Sequence, residues 1–340
     1  MIAKEFTPDD LIYVDDYSRG YSRIKKNDKF RYLNEEGHTL SNRKEILRIE
    51  DLVIPPMWED VWICSDPYGH IQATGKDAKG RKQYLYHKQW TEHLSQHKFD
   101  DLLNFALKLP VIRAQVAKDL RRRKWDKKKV LALAVKLLDE LYLRVGNQFY
   151  KNENGTYGLT TLRKKHIQED KKHLILKYKA KSGKIRQITV NHPTLRNLLK
   201  HCAELPGYEL FKYKEDGKYI TITSRDINQY LHDISDAHIT AKNFRTWGGT
   251  VLVIKYQAEA LESIKSNPRK KLETTLIKLV ANKLNNTVSV CRKYYIHPSI
   301  LETVTKSQNL KIKLPRAKGQ NRWYSKEELT VLTLLKESLK

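Results

Sequence analysis

The sequence predicts an α+β protein: a small, largely antiparallel β-sheet domain at the N-terminus, followed by a larger, mostly α-helical domain that contains a β-hairpin. Three observations lead there. Short alternating segments broken by turn signals fill the stretch before residue 90; from about Trp90 the apolar residues recur at helical spacing; and one later stretch returns to a period of two around Ser182-Gly183.

In the first domain, expected over residues 1–90, Lys29 to Leu33 reads as a strand and Asn34 to His38, with its glycine, as a turn. Val61 to Cys64 is the next strand, Asp66-Pro67-Tyr68-Gly69 the next turn, and Gln83 to Tyr86 a further strand. Turn residues this close together reverse the chain and pair neighbouring strands antiparallel. The second domain, expected over residues 91–340, opens with DLLNFALKLPVIRAQVAKDL and DKKKVLALAVKLLDELYLRVG. In the latter, Val130, Leu131, Ala134, Leu137, Leu138 and Leu141 recur at helix spacing. The helical pattern is expected to break once, in LILKYKAKSGKIRQITV, where two runs of β-formers flank Ser182-Gly183 as a hairpin. Ser325 with Glu328 three residues later matches a capping box that starts a closing amphipathic helix, expected to be structural.

Charge narrows the partner. With 65 Lys+Arg against 39 Asp+Glu, the 340 residues carry a formal charge of +26. A single basic run is equally well a solvated helix face. Here the excess persists from Lys25 to Lys340, and Arg121-Arg122-Arg123-Lys124 runs into Trp125, so the expected partner is a polyanion, DNA or RNA. A hydrophobic fraction of 40% beside 31% charged residues belongs to a globular chain with a core to bury. No stretch approaches the ~18 to 20 apolar residues of a membrane span, and MIAKEFTPDD lacks the apolar segment of a signal peptide. Cys64, Cys202 and Cys291 are odd in number, with no CxxC pair, as expected of reduced thiols. The expected location is cytoplasmic and nucleoid-associated, with no membrane partner.

Several chemistries fall away. GKDAKGRK, Gly75 to Lys82, has Arg81 where a phosphate loop needs its lysine and no Ser or Thr after it, so no nucleotide is implied. HExxH, paired CxxC and a dense carboxylate cluster are missing from the sequence, and no metal site is expected. Four polar islands remain in the helical domain: Arg144 in RVGN, Lys181 at the hairpin tip, Arg245 in KNFRTW, and Asn286 upstream of the doubled tyrosine in CRKYYIHPS. Singly, each has a plain explanation, such as Arg144 at a helix C-terminus. Together they supply phosphodiester transesterification. Guanidinium forks match the non-bridging oxygens on which charge grows, an amide adds a donor, a lysine protonates the departing 5′ oxygen, and a tyrosine hydroxyl attacks.

At these residues the sequence resembles the type IB DNA topoisomerases of the small bacterial and viral kind, over nearly the whole chain. Ile54 to His87 is similar to the signature of the family's N-terminal domain; Arg144 to Ile167, Thr240 to Thr250 and Asn286 to Pro298 are similar to three ordered blocks of its active site. The resemblance implies the catalytic fold that the family shares with tyrosine recombinases. Arg144 and Arg245 would be the phosphate-binding arginines, Lys181 the general acid, Tyr295 the nucleophile, and Tyr294 a packing residue or DNA contact. Asn286 stands where the poxvirus branch has histidine and the bacterial branch asparagine. The implied reaction relaxes supercoiled duplex DNA through a transient 3′-phosphotyrosyl break in one strand, without ATP, essential metal or other cofactor, in a monomer that clamps the duplex.

DNA contacts implied by the resemblance are Lys82, Gln83, Tyr84 and Tyr86 in the first domain and Gly146, Asn147 and Tyr150 beside Arg144. Lys242, Arg292 and Lys293 join them. The hairpin reads AKSGK where GKSGK is usual, placing Ala180 for glycine and leaving Lys184 as a weaker rival acid; NNTV replaces GNTP, placing Asn285 and Val288 at turn positions. Two other readings stand beside this one. A tyrosine recombinase shares the chemistry but typically has histidine where this chain has Lys242. A non-enzymatic architectural DNA-binding protein explains the charge but not the ordered set that ends in a tyrosine.

Overall fold

In the computed structural model, which describes residues 11–27, 29–78, 80–97, 99–169, 173–307, 314–316 and 318–338, the chain divides into two units, Met1–Lys98 and Phe99–Lys340. The first unit runs β1 (Tyr21–Lys26), β2 (Lys29–Leu33), α1 (Arg43–Asp51), β3 (Glu59–Ile63), β4 (Ile71–Lys76), β5 (Lys82–Tyr86) and α2 (Lys88–His97). Its strands form one sheet in the order β2-β1-β3-β4-β5, antiparallel at every pairing. The expected strands at Lys29, Val61 and Gln83 are there, with the turns between them: Asn34 N–H donates to the His38 carbonyl at 2.8 Å, and Gly37 takes the left-handed φ of 83°. Ile49 of α1 meets Ile54, Val61, Ile63 and Ala73 in a small core.

β1, β4 and α1 go beyond the sequence reading. YSRIKK and IQATGK have too few apolar residues to alternate visibly, yet Gln72 and Thr74 are buried in β4 because their side chains find partners, Gln72 on the Gly69 carbonyl at 2.7 Å and Thr74 on Asp16 at 2.9 Å. α1 had a legible start, since the Asn42 side chain caps it by accepting from Lys44 N–H at 3.0 Å.

The second unit runs α3 (Asp100–Leu120), α4 (Lys127–Leu141), α5 (Gln148–Asn154), β6 (Ile167–Glu169), β7 (Leu174–Lys179), β8 (Ile185–Val190) and α6 (Pro193–Glu204). It continues with β9 (Lys212–Glu215), β10 (Lys218–Thr221), α7 (Ser224–Ser235), α8 (Ala241–Lys255), α9 (Gln257–Ser266), α10 (Leu272–Leu284), α11 (Val288–Tyr294), α12 (Pro298–Lys306) and α13 (Lys326–Glu337). α4 buries Ala132, Leu133 and Val135 in addition to the expected stripe, so it is apolar nearly all round, as a central helix is. α8 is likewise buried from Phe244 to Val253, and Phe244 meets Phe105 of α3 edge-to-face at 5.0 Å. A helix held on all sides is a rigid mount for any side chain it carries.

The hairpin over LILKYKAKSGKIRQITV is present, with Tyr178 opposite Arg186 and Lys179 opposite Ile185. A single interruption of the helical body is, however, too few. β9 and β10 form a second hairpin around Asp216-Gly217, both at positive φ (47° and 78°), and β6 adds a third strand beside β7. Asp-Gly between KYKE and KYIT is itself a hairpin signal. α13 starts at the predicted Ser325–Glu328 capping box, and the Glu328 carboxylate also receives Arg113 at 2.7 Å and Trp247 at 2.9 Å, while Arg113 reaches Asp139 at 2.8 Å. This buried ion network joins α3, α4, α8 and α13.

Candidate active site

The end of α4 sets the geometry. Its C-cap, Tyr142, is left-handed at φ 52°, which turns its carbonyl back towards two buried arginines from other elements. Arg245 of α8 donates to that carbonyl, and so does Arg186 of β8 at 3.3 Å, whose second nitrogen reaches the Leu141 carbonyl at 2.9 Å. Two residues on, Arg144 lies on a segment pinned by Leu159 N–H on the Arg144 carbonyl and Thr160 N–H on the Val145 carbonyl, both at 2.8 Å. Gly146, at φ 86°, and Gly158 face each other so closely that a Cβ on Gly158 would stand 2.6 Å from the Gly146 Cα. Gly146 thus has a packing reason to be glycine.

The partner loop follows α10. Asn285 caps that helix at φ 52°, a left-handed position that asparagine tolerates better than most residues other than glycine. Its carbonyl accepts from both Arg144 terminal nitrogens at 3.4 Å, and the Asn286 Oδ1 accepts from one of them. With Oδ1 taken, the buried Asn286 Nδ2 has no oxygen or nitrogen acceptor and only the Cys291 thiol beside it; Asn285 Nδ2 and Arg245 Nε are left with no acceptor. α11 then delivers the doubled tyrosine. Tyr295 ends the helix, its ring 5.1 Å from the Arg245 guanidinium, whereas Tyr294 is 44% exposed with Lys293 over its ring at 5.4 Å.

Why α8 reads Trp-Gly-Gly-Thr is now evident. A Cβ on Gly248 would fall 2.2 Å from the Tyr142 ring, and one on Gly249 would fall 2.3 Å from the Tyr295 carbonyl oxygen. One turn beyond Arg245, the helix is stripped bare so that the Tyr142 and Tyr295 segments lie directly on it.

Electrostatically the site is strained towards an anion. Burial, then the neighbouring Arg245, pushes the Arg144 guanidinium down to about 10; burial also lowers Arg186, opposed by Tyr178. Burial holds the Tyr178 phenol above its ordinary range despite the arginines around it. Among the described residues no carboxylate pairs with Arg144, Arg186 or Arg245. Uncompensated buried cations and orphaned donors cost free energy that an arriving phosphate recovers.

The structure thus brings Arg144, Arg245, Asn286 and Tyr295 together. It does not bring in Lys181: that side chain is exposed at the hairpin tip and makes no hydrogen bond or ion pair among the described residues. Ala180 in place of glycine is harmless there, since its backbone is extended at φ −92°. Lys184 is exposed as well. Sequence reasoning missed Arg186, Tyr178 and Tyr142. For Arg186 a signal existed: it lies four residues before Val190 in a strand, hence on the same, core-facing side.

The predicted DNA contacts divide. Lys82, Tyr84 and Tyr86 share the exposed face of β5, with the two rings stacked at 6.0 Å, but Lys82 is paired with Asp16. Gln83 points to the other face and donates to Asp77 at 2.9 Å. Lys242 is exposed in the first turn of α8, and Arg292 is ion-paired with Glu273. Lys293 lies over Tyr294, Asn147 immediately precedes α5, and Tyr150 lies within α5 with its side chain outside the described residues.

A helical body that holds a phenol among carboxylate-free guanidiniums belongs to the class of proteins that transfer phosphodiesters through tyrosine. Residues 87–321 match the family described as "Eukaryotic DNA topoisomerase I, catalytic core", and residues 29–77 match "Bacterial DNA topoisomerase IB, N-terminal domain". The chain is 33% identical to DNA topoisomerase 1B of Acanthamoeba polyphaga mimivirus over 83% of its own length and 87% of that protein. It is 24% identical to the vaccinia virus (strain Copenhagen) DNA topoisomerase 1B over 80% and 82%, and 27% identical to the rat mitochondrial DNA topoisomerase I over 61% and 34%. The chain belongs to the type IB DNA topoisomerase family, with an N-terminal domain of the bacterial type.

Proposed function

We propose that the protein relaxes supercoiled duplex DNA by transient cleavage of one strand, acting as a cytoplasmic, nucleoid-associated monomer. The Tyr295 hydroxyl oxygen gives up its proton to solvent and attacks a backbone phosphorus. The P–O5′ bond breaks as the P–O(Tyr) bond forms, leaving a 3′-phosphotyrosyl link and a 5′ hydroxyl whose proton comes from Lys181. Arg144, Arg245 and the Asn286 Nδ2 hold the non-bridging oxygens while charge grows on them, work for which fixed donors are better than mobile water. After the free end rotates, the 5′ hydroxyl returns its proton to Lys181, attacks phosphorus and expels Tyr295 as a phenolate, which regains its proton from solvent. One phosphoester replaces another throughout, so the energy of the broken strand is kept and ATP is not needed.

The observation that carries this reading is the set of guanidiniums without carboxylates and unpaired amide donors gathered around one phenol. Lys181 is included on its place at the hairpin tip, exposed and unpaired, where closure on bound DNA would engage it. The exposed face of β5 and Lys242 add contacts to the duplex; phosphate contacts of this kind fix position without reading sequence.

Denaturing the protein rapidly on an end-labelled duplex tests this. The label should be found covalently on the peptide containing Tyr295, with Tyr295→Phe giving no adduct and normal binding, and Tyr294→Phe retaining adduct formation. Binding by the wild type without any adduct would instead support an architectural DNA-binding role.

A further inference from the structure

Arg186 has no part in the reaction just described, yet it is built into the site more firmly than Arg144. It is 6% exposed, and its guanidinium spans two successive carbonyls, Leu141 at 2.9 Å and Tyr142 at 3.3 Å, the second of which also receives Arg245. Across the hairpin, Tyr178 is its register partner, and the Tyr178 phenol lies beside the same guanidinium. A second tie holds the other strand: Tyr157 N–H donates to the Lys179 carbonyl at 2.8 Å. Beyond these ties lies the tip with Lys181, where Ser182 and Gly183 both take positive φ (66° and 75°). Nothing among the described residues holds the Lys181 ammonium itself.

We propose that Arg186, braced by Tyr178, is a positioning residue for strand transfer: it fastens the Lys181 hairpin to the Tyr142 carbonyl that also holds Arg245, so that acid and phosphate clamp share one reference point. The physical reason is reach. A lysine at a hairpin tip has a long side chain and no fixed partner, so where it can deliver a proton depends on where the hairpin's strands are held. Arginine is the residue for such a hold, because its planar fork aims two donors in fixed directions, one at each carbonyl, whereas an ammonium is a compact charge on a flexible stem. A buried cation with two carbonyls and a phenol as its partners also adds to the field that draws in the phosphate. This inference rests on the reading of Lys181 as the general acid.

The test compares single-turnover cleavage of an ordinary duplex with that of a duplex whose scissile 5′-bridging oxygen is replaced by sulfur, which leaves without a proton. Arg186→Lys keeps the charge and loses the fork. It should slow the oxygen substrate about 10²-fold, as misplaced catalytic groups do, and the sulfur substrate by less than about 5-fold. Tyr178→Phe, which removes one hydroxyl, should show the same pattern at smaller amplitude and carries the test if Arg186→Lys does not fold. Duplex binding in a Tyr295→Phe background should be unchanged. Equal slowing of both substrates, or no slowing of either, overturns the proposal. Lys181→Ala is run alongside: if sulfur does not rescue it, the general-acid reading fails; if sulfur rescues it but not Arg186→Lys, the positioning role alone fails.

Discussion

Gly249 and Asn285 show how much of this site is decided by single backbone positions. At Gly249 a methyl would meet the Tyr295 carbonyl oxygen at 2.3 Å, so Gly249→Ala must push the nucleophile's segment off α8. The expected cost is about 1–3 kcal/mol of stability, with slower adduct formation; an alanine variant that cleaves at the wild-type rate would show that the contact does not place Tyr295. Asn285, at φ 52°, should accept glycine within about 0.5 kcal/mol, whereas Asn285→Val should lose about 1–3 kcal/mol in denaturant melts. Equal stability of the two variants would contradict the left-handed assignment. At this scale kind alone was not enough: Arg144, Arg245, Asn286 and Tyr295 each have a plain explanation singly and became legible as an ordered set, through the resemblance of their blocks to a family. Arg186 did not, because a charge in a strand reads as a solvent face until its register with Tyr178 and the burial of Val190 are known. Gly248 and Gly249 were visible as residues, but their reason lies in other segments that touch them.

Elements place these residues, and α8 is the mount. It carries Arg245, receives the Tyr142 and Tyr295 segments on its glycines, and is tied through Trp247 to Glu328 of α13. Removing Arg113 leaves two buried carboxylates, Asp139 and Glu328, without their cation, so Arg113→Met should cost about 3–5 kcal/mol in urea unfolding. A loss within about 0.5 kcal/mol would mean the network contributes no more than an exposed pair. The capping box at Ser325 gave away α13 because its signal is local, whereas the ion network behind it spans residues 113 to 328 and has no local signature. The β9–β10 hairpin was equally local, and Asp216-Gly217 announced it; it was obscured only because KYKE and KYIT are too polar to read as strands.

At the scale of the molecule, the formal charge of +26 suits a polyanion, and on the proposed reading the buried arginines receive one phosphate of it. Burial lowers the Arg144 guanidinium from its ordinary range to about 10, so holding it as a cation costs the free protein stability at neutral pH. A bound phosphate relieves it at neutral pH. Duplex affinity of a Tyr295→Phe protein should therefore fall when Arg144→Gln is added, at constant salt and neutral pH. Unchanged affinity would assign the phosphate contact to another group. The change of periodicity near Trp90 marks the start of α2, which stays with the first unit, since the division falls after Lys98, and the large excess of basic residues pointed to the partner without naming the reaction. The most direct measurement of the central claim is incubation of negatively supercoiled plasmid with the protein in EDTA and without ATP. Relaxed topoisomers that depend on Tyr295 are the predicted result; unchanged supercoiling, with the plasmid merely retarded by bound protein, would contradict it.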